Sequence, residues 1–221
     1  MIAILDYEAG NLTSVRLAVE HVGGEAVVTR DPAMVRDAAR VIFPGVGAAR
    51  ACMDSLRRFG LDHALRDAVR AGTPVLAICI GIQLLFDHSE EDGGVDCLGL
   101  LPGKVVRFAF PADRHVKVPH MGWNALHVIR PHALFADVRD GDEAYFVHSY
   151  YPAPADSGMV LAQTEYAGVT FASAVARGNL AAVQFHPEKS GSVGLEILRR
   201  FLSWDGGETS NATRLDDRDA R

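Results

Sequence analysis

A chain of 221 residues with 48% hydrophobic and 23% charged side chains is long enough for one α/β domain and too apolar to remain unfolded. Its formal net charge of −6 offers no basic face for a phosphate backbone, which argues against nucleic acid as a partner. No run approaches the roughly 20 apolar residues of a membrane span, and the start Met1-Ile2-Ala3-Ile4-Leu5-Asp6 lacks the basic segment of a signal peptide, so no membrane partner and a cytoplasmic location are expected.

Short Val- and Ile-rich runs alternate with segments of helical period, the pattern of a sheet covered by helices. Ile2 to Leu5 reads as a first strand. Leu12, Val15, Val19 and Val22 recur at helical spacing and stop at Gly23-Gly24, and Ala26 to Val28 follows as a second strand. Val41-Ile42-Phe43 is another buried strand, ending in the turn Pro44-Gly45-Val46-Gly47. Leu61, Ala64, Leu65 and Ala68 predict a helix. Pro74 to Ile78 is a strand that runs straight into Cys79, with a helix beginning at Ile82 to Phe86. Between Lys104 and Phe185 strand-like runs such as Tyr145-Phe146-Val147, Met159-Val160-Leu161 and Ala181-Ala182-Val183 dominate, which implies a mixed sheet. Val193, Ile197 and Phe201 mark a last helix. The expected division is one domain over 1–204 and a disordered tail over 205–221.

Cys52, Cys79 and Cys97 are unequally spaced and contain no Cys-x-x-Cys pair, so neither a disulfide framework nor a zinc site fits. No histidine pair has metal-site spacing, and neither metal nor cofactor is expected. A buried cysteine is ordinarily a small hydrophobe. Cys79 differs by position: it ends an apolar strand, and Gly81 two residues on lets the chain bend into a helix, as in a nucleophile elbow where the helix terminus favours a thiolate. Cys52 and Cys97 lack that context and read as structural. A nucleophilic thiol needs an oriented base. His186 follows the strand Ala181 to Phe185, and Pro187 and Glu188 make one turn that presents an imidazole and a carboxylate together. The same spacing also describes an ordinary surface turn.

Taken together, Ala77-Ile78-Cys79-Ile80-Gly81-Ile82-Gln83 and His186-Pro187-Glu188 resemble the two catalytic motifs of triad-type class I glutamine amidotransferases. Within that family the chain is most similar to the glutaminase subunits of imidazole glycerol phosphate synthases. That likeness rests on Asp6-Tyr7 with Gly10-Asn11-Leu12, Pro44 to Gly47, Lys117 to Asn124, Tyr145 to Tyr150, and His186 to Ser190. Two positions depart from the family pattern, Ala77 and Glu8, each where glycine is usual.

The resemblance implies a central mixed, largely parallel sheet flanked by helices, flavodoxin-like, with Cys79, His186 and Glu188 as catalytic triad. It implies oxyanion donors at Ile80 and, after a peptide flip, Val46. Gly47, Gln83, Glu91, Ser149 and Tyr150 would hold glutamine, and Trp123, Tyr145 and Lys189 would face a partner, a (β/α)8-barrel cyclase. Read for themselves, Pro44 to Gly47 is also simply a tight turn, Ser89 to Asp92 an acidic loop, and Trp123 a core residue. The alternatives are a glutaminase for another synthase, a stand-alone cysteine peptidase or γ-glutamyl hydrolase, and a silent binding subunit with a structural Cys79.

Overall fold

The computed structural model describes residues 1–207, so the expected tail lies outside the described residues from position 208 onward. Five strands form the parallel half of an eight-stranded sheet, in the order Ala26–Thr29, Ile2–Leu5, Arg40–Phe43, Val75–Ile78 and Leu180–Val183. The sheet continues antiparallel through Val169–Arg177, Val160–Tyr166 and His127–Val128, so four of its seven pairings are parallel.

Alternation along the strands sends residues to two separate cores. Ala3, Leu5, Val41, Phe43, Val75 and Ala77 face a layer containing Cys52, Leu56, Leu61 and Leu65, from helices Ala49–Arg58 and Leu61–Arg70. Ile2, Ile4, Ile42, Leu76 and Ile78 face the opposite layer, with Val15 and Val19 of helix Leu12–His21 and Ile197 and Phe201 of helix Gly191–Ser203. Strands covered on both faces must be apolar throughout, which is why Ile2–Leu5 and Val75–Ile78 read as unbroken apolar runs and are buried along their whole length.

Two smaller sheets are built from residues 88–154, and the expected run Tyr145-Phe146-Val147 falls within one of them. Glu143–His148 pairs with His120–Ala125, while Tyr150–Pro154, Gly103–Arg107, His88–Ser89 and Val95–Asp96 form a four-stranded sheet. Strands of two residues carry too little periodicity to be read from sequence. Among the described residues no helix is long and apolar enough to cross a membrane.

Four segments singled out in the sequence leave the sheet at one edge. Tyr7 follows strand Ile2–Leu5, Val46 follows Arg40–Phe43, Cys79 follows Val75–Ile78 and His186 follows Leu180–Val183. These are the carboxyl ends of parallel strands, where open α/β sheets bind ligands. Helix Gly191–Ser203 supports this edge by pressing Gly194 against the His186-Pro187-Glu188 turn: a methyl at Gly194 would sit 1.9 Å from the Pro187 carbonyl oxygen. Gly194→Ala should therefore destabilise the fold by about 1–3 kcal/mol through overpacking. Denaturant unfolding checks it, and an unchanged midpoint would contradict so close a contact.

Candidate active site

Cys79 itself carries the backbone strain of the elbow, with φ +56° and ψ −110°, a region that non-glycine residues rarely occupy. This corrects the sequence expectation, which gave the bend to Gly81. Gly81 is bare for another reason: a Cβ there would lie 2.2 Å from the Phe43 carbonyl oxygen, so glycine permits helix and strand to approach. The helix also begins earlier than expected, at Ile80, and runs only to Leu84. As its first residue, Ile80 has no carbonyl one turn back for its N–H, which leaves that donor available beside Cys79. Five residues make only a weak dipole.

The turn at 186–188 carries the expected base. The His186 backbone N–H donates to Tyr145 O at 2.9 Å. Ser190 Oγ donates to His186 O at 2.7 Å and accepts from Tyr145 N at 3.0 Å. So anchored, His186 Nδ1 lies 2.8 Å from Glu188 Oε1, with both side chains almost fully buried. A carboxylate accepts from Nδ1–H, which assigns the tautomer and leaves Nε2 for the thiol. Nε2 meets no partner in hydrogen-bonding geometry, yet the sulfur is near enough to act on the ring's charge. Burial alone would lower the His186 pKa. The Cys79 sulfur and the Glu188 carboxylate outweigh it and raise the pKa to about 10.

Cys79 opens on a cavity of about 310 Å³ that also takes in Val46, Gly47, Ile80, Gln83, Glu91, Ser149 and Tyr150, so it gathers the expected oxyanion and glutamine-holding residues in one place. Their side chains do more than line it. Glu91 Oε2 accepts from Ala49 N at 2.7 Å, capping helix Ala49–Arg58, whose own first residue offers no side-chain cap. Burial also raises the Glu91 pKa. It is therefore a half-buried cap at the pocket wall rather than part of a merely solvated acidic loop. Gln83 is buried and its amide nitrogen donates to Tyr150 O at 2.8 Å and Gln184 Oε1 at 3.0 Å, which fixes the start of strand Tyr150–Pro154, next to Ser149.

Pro119, Val147 and His148 also line the cavity and were not expected there. His148 Nδ1 lies 2.9 Å from Tyr150 O, and its Nε2 lies 3.1 Å from His120 Nδ1. Burial drives both imidazoles neutral, His148 to about 3 and His120 to about 4. Nothing in sequence spacing announces the charge state of these two histidines, because burial and partners are tertiary properties.

The expected partner-facing residues form one exposed cluster. Trp123 is 53% exposed and lies edge-on to Tyr145 at 6.2 Å between ring centres, while Lys189 Nζ stands 5.9 Å above the Tyr145 ring. Trp123 is thus not a core residue. Glu8 occupies the family's glycine position at φ +66° and pairs with Arg30 and Arg58.

A family model described as Glutamine amidotransferase class-I matches residues 3–204. The chain belongs to the class-I glutamine amidotransferases. Among its relatives are proteins named imidazole glycerol phosphate synthase subunit HisH. Those from Aromatoleum aromaticum and Nitrosococcus oceani are 52% and 50% identical, covering 92% and 93% of this chain and 98% of each relative. A solved glutamine amidotransferase superposes with a TM-score of 0.71 at 21% identity, over 93% of this chain and 98% of the other, and shares the amidotransferase fold.

The raised His186 pKa has a definite sign in stability. A group whose folded pKa exceeds its unfolded value of 6.5 contributes fully below that pH and loses the contribution as pH climbs towards about 10. Glu188→Gln removes one of the two raising partners and should lower the His186 titration midpoint. Ring-proton NMR titration measures it, and an unmoved midpoint would remove the carboxylate as a cause.

Proposed function

We propose that this chain is the glutamine-hydrolysing subunit of an imidazole glycerol phosphate synthase, with residues 1–204 as its amidotransferase domain. The observation that carries the reading is the buried 2.8 Å His186–Glu188 pair beside a strained Cys79 elbow, opening on one cavity. The identity of about half the chain with the synthase subunits supports the choice of synthase.

Cys79 Sγ attacks the side-chain amide carbon of glutamine, forming the S–C bond and placing negative charge on the amide oxygen. The thiol proton has passed to His186 Nε2 before the attack, so that Cys79 reacts from an ion pair, and Glu188 holds the imidazolium. Because its pKa is raised, His186 keeps that proton at neutral pH until the amide nitrogen takes it and leaves as ammonia. The glutamyl thioester is then attacked by water, whose proton returns through His186 to Cys79 as glutamate departs. Ile80 N–H faces the oxyanion as one donor and Val46 N–H serves as the second, each worth about 3 kcal/mol when aligned. Glu91 pairs with the substrate's α-ammonium and Gly47, Gln83 and the backbone of Ser149 and Tyr150 hold the rest.

The synthase partner is a (β/α)8-barrel cyclase that docks on Trp123, Tyr145 and Lys189. It adds the ammonia to a formimino ribotide, giving imidazole glycerol phosphate and an aminoimidazole carboxamide ribotide. Ammonia released into water is protonated and lost as a nucleophile, so hydrolysis must wait for the acceptor. An absent oxyanion donor costs roughly 100-fold to 1,000-fold in rate, and a Val46 peptide turned the wrong way supplies that idle state.

Cys79→Ser should abolish glutamine-dependent synthesis by the assembled enzyme while ammonium-dependent synthesis persists. Loss of both would indicate failed assembly. Cys52→Ser and Cys97→Ser should stay within a few-fold of the parent, since burial raises both thiols, to about 12 and about 11, and leaves them unreactive. Glutaminase turnover of the isolated chain should be barely measurable and rise by orders of magnitude with barrel subunit and ribotide together. Equal rates for the free chain and the liganded complex would sink the coupled reading.

A further inference from the structure

Asp6-Tyr7 belongs to the segments that carry the family resemblance, yet no step of the reaction uses it. The Tyr7 side chain is fully buried under the Pro44 to Gly47 loop. Its hydroxyl donates to the Pro44 carbonyl oxygen at 2.7 Å, and its ring packs on Phe43 at 5.4 Å between centres. Position 45 is glycine because that hydroxyl fills its side-chain space: a Cβ there would lie 1.9 Å from Tyr7 Oη and 2.5 Å from Ile80 Cγ2. Gly10, on the same loop as Tyr7, also lies close to Gly45, with a Cβ at Gly10 only 3.0 Å from Gly45 Cα.

We propose that Tyr7 is a positioning residue that latches the loop between strand Arg40–Phe43 and helix Ala49–Arg58 in its resting conformation, by holding the Pro44 carbonyl. The inference rests on the proposed role of Val46. Pro44 is two residues before Val46, with only the unsubstituted Gly45 between them. A held Pro44 carbonyl fixes the near end of that segment. The far end, Gly47, sits at φ +129° and is free to pivot where other residues would not be. Rotation of the intervening peptides must either break the Tyr7 bond or be absorbed by Gly45 against the hydroxyl. The latch therefore biases a two-state element, and the partner must overcome that bias. Tyr7 does not line the cavity, although it is near enough to Cys79 for the two to interact electrostatically.

The test is Tyr7→Phe, which removes one oxygen and keeps the ring's packing. Glutaminase kcat and KM are measured for the chain alone and for the complex with barrel subunit and ribotide, with ammonium-dependent synthesis and melting temperature recorded alongside. The latch predicts that kcat of the chain alone rises at least 10-fold, KM stays within 2-fold, the liganded complex is nearly unchanged, and the activation ratio shrinks accordingly. Leu65→Ala, a core truncation in helix Leu61–Arg70, is the control for softening of the fold, and its basal turnover should stay at the parent level. Basal kcat unchanged or lowered in Tyr7→Phe would overturn the latch, and so would an equal rise in Leu65→Ala. A parent chain that its partner does not activate at all would instead overturn the proposed function, which separates the two failures.

Discussion

Almost everything at the active edge depends on how strand Val75–Ile78 ends. The strand is buried along its whole length between two parallel neighbours, so its direction is fixed and its last residue arrives at a defined point. Cys79 must then reverse the chain in one residue, and it does so at φ +56°, a conformation held only because the surroundings over-determine it. The Cys79 N–H stays bonded to Val183 O at 2.9 Å, and the following helix is pinned by the closeness of Gly81 to the Phe43 carbonyl. Ile80 N–H, the cavity and the neighbouring Pro44 to Gly47 loop take their places from that reversal.

Electrostatics then sorts three neighbouring histidines into two kinds. His120 and His148 are wrapped in aromatic rings, including Phe108, Phe146 and Phe171, and hydrogen-bond to each other and to a backbone carbonyl, so their neutral forms win. His186 is equally shut off from water but has a carboxylate at 2.8 Å and a sulfur nearby, and its charged form wins. Burial is common to all three. The partner decides the outcome, and only the site with an anionic partner holds a proton to deliver at neutral pH. The neutral pair buttresses the pocket wall through Tyr150 O, which also accepts from Gln83.

The exposed side of the site follows the same economy of parts. Strand Glu143–His148 presents Tyr145 outward beneath Trp123 and Lys189, while its own backbone N–H and C=O tie down Ser190 and His186. A protein docking on those aromatics would press on a strand that holds the catalytic turn. That short mechanical path suits the proposed coupling of turnover to a partner.

The sequence alone determined the class of fold and nominated the residues proposed to react. Unbroken apolar runs at Ile2 to Leu5, Val41 to Phe43 and Pro74 to Ile78, too short for helices and rich in Val and Ile, read as doubly covered strands, and the two motifs around Cys79 and His186 are local in sequence and so are legible there. Tertiary structure decided what depends on neighbours distant in the chain. Why position 81 is glycine lies with Phe43, why 45 is glycine lies with Tyr7, and why 194 is glycine lies with Pro187. None of these pairs is adjacent in sequence or periodic. The charge states of His120, His148 and His186 are tertiary for the same reason, since a pKa is set by burial and by groups brought near in space, and one-dimensional spacing contains neither.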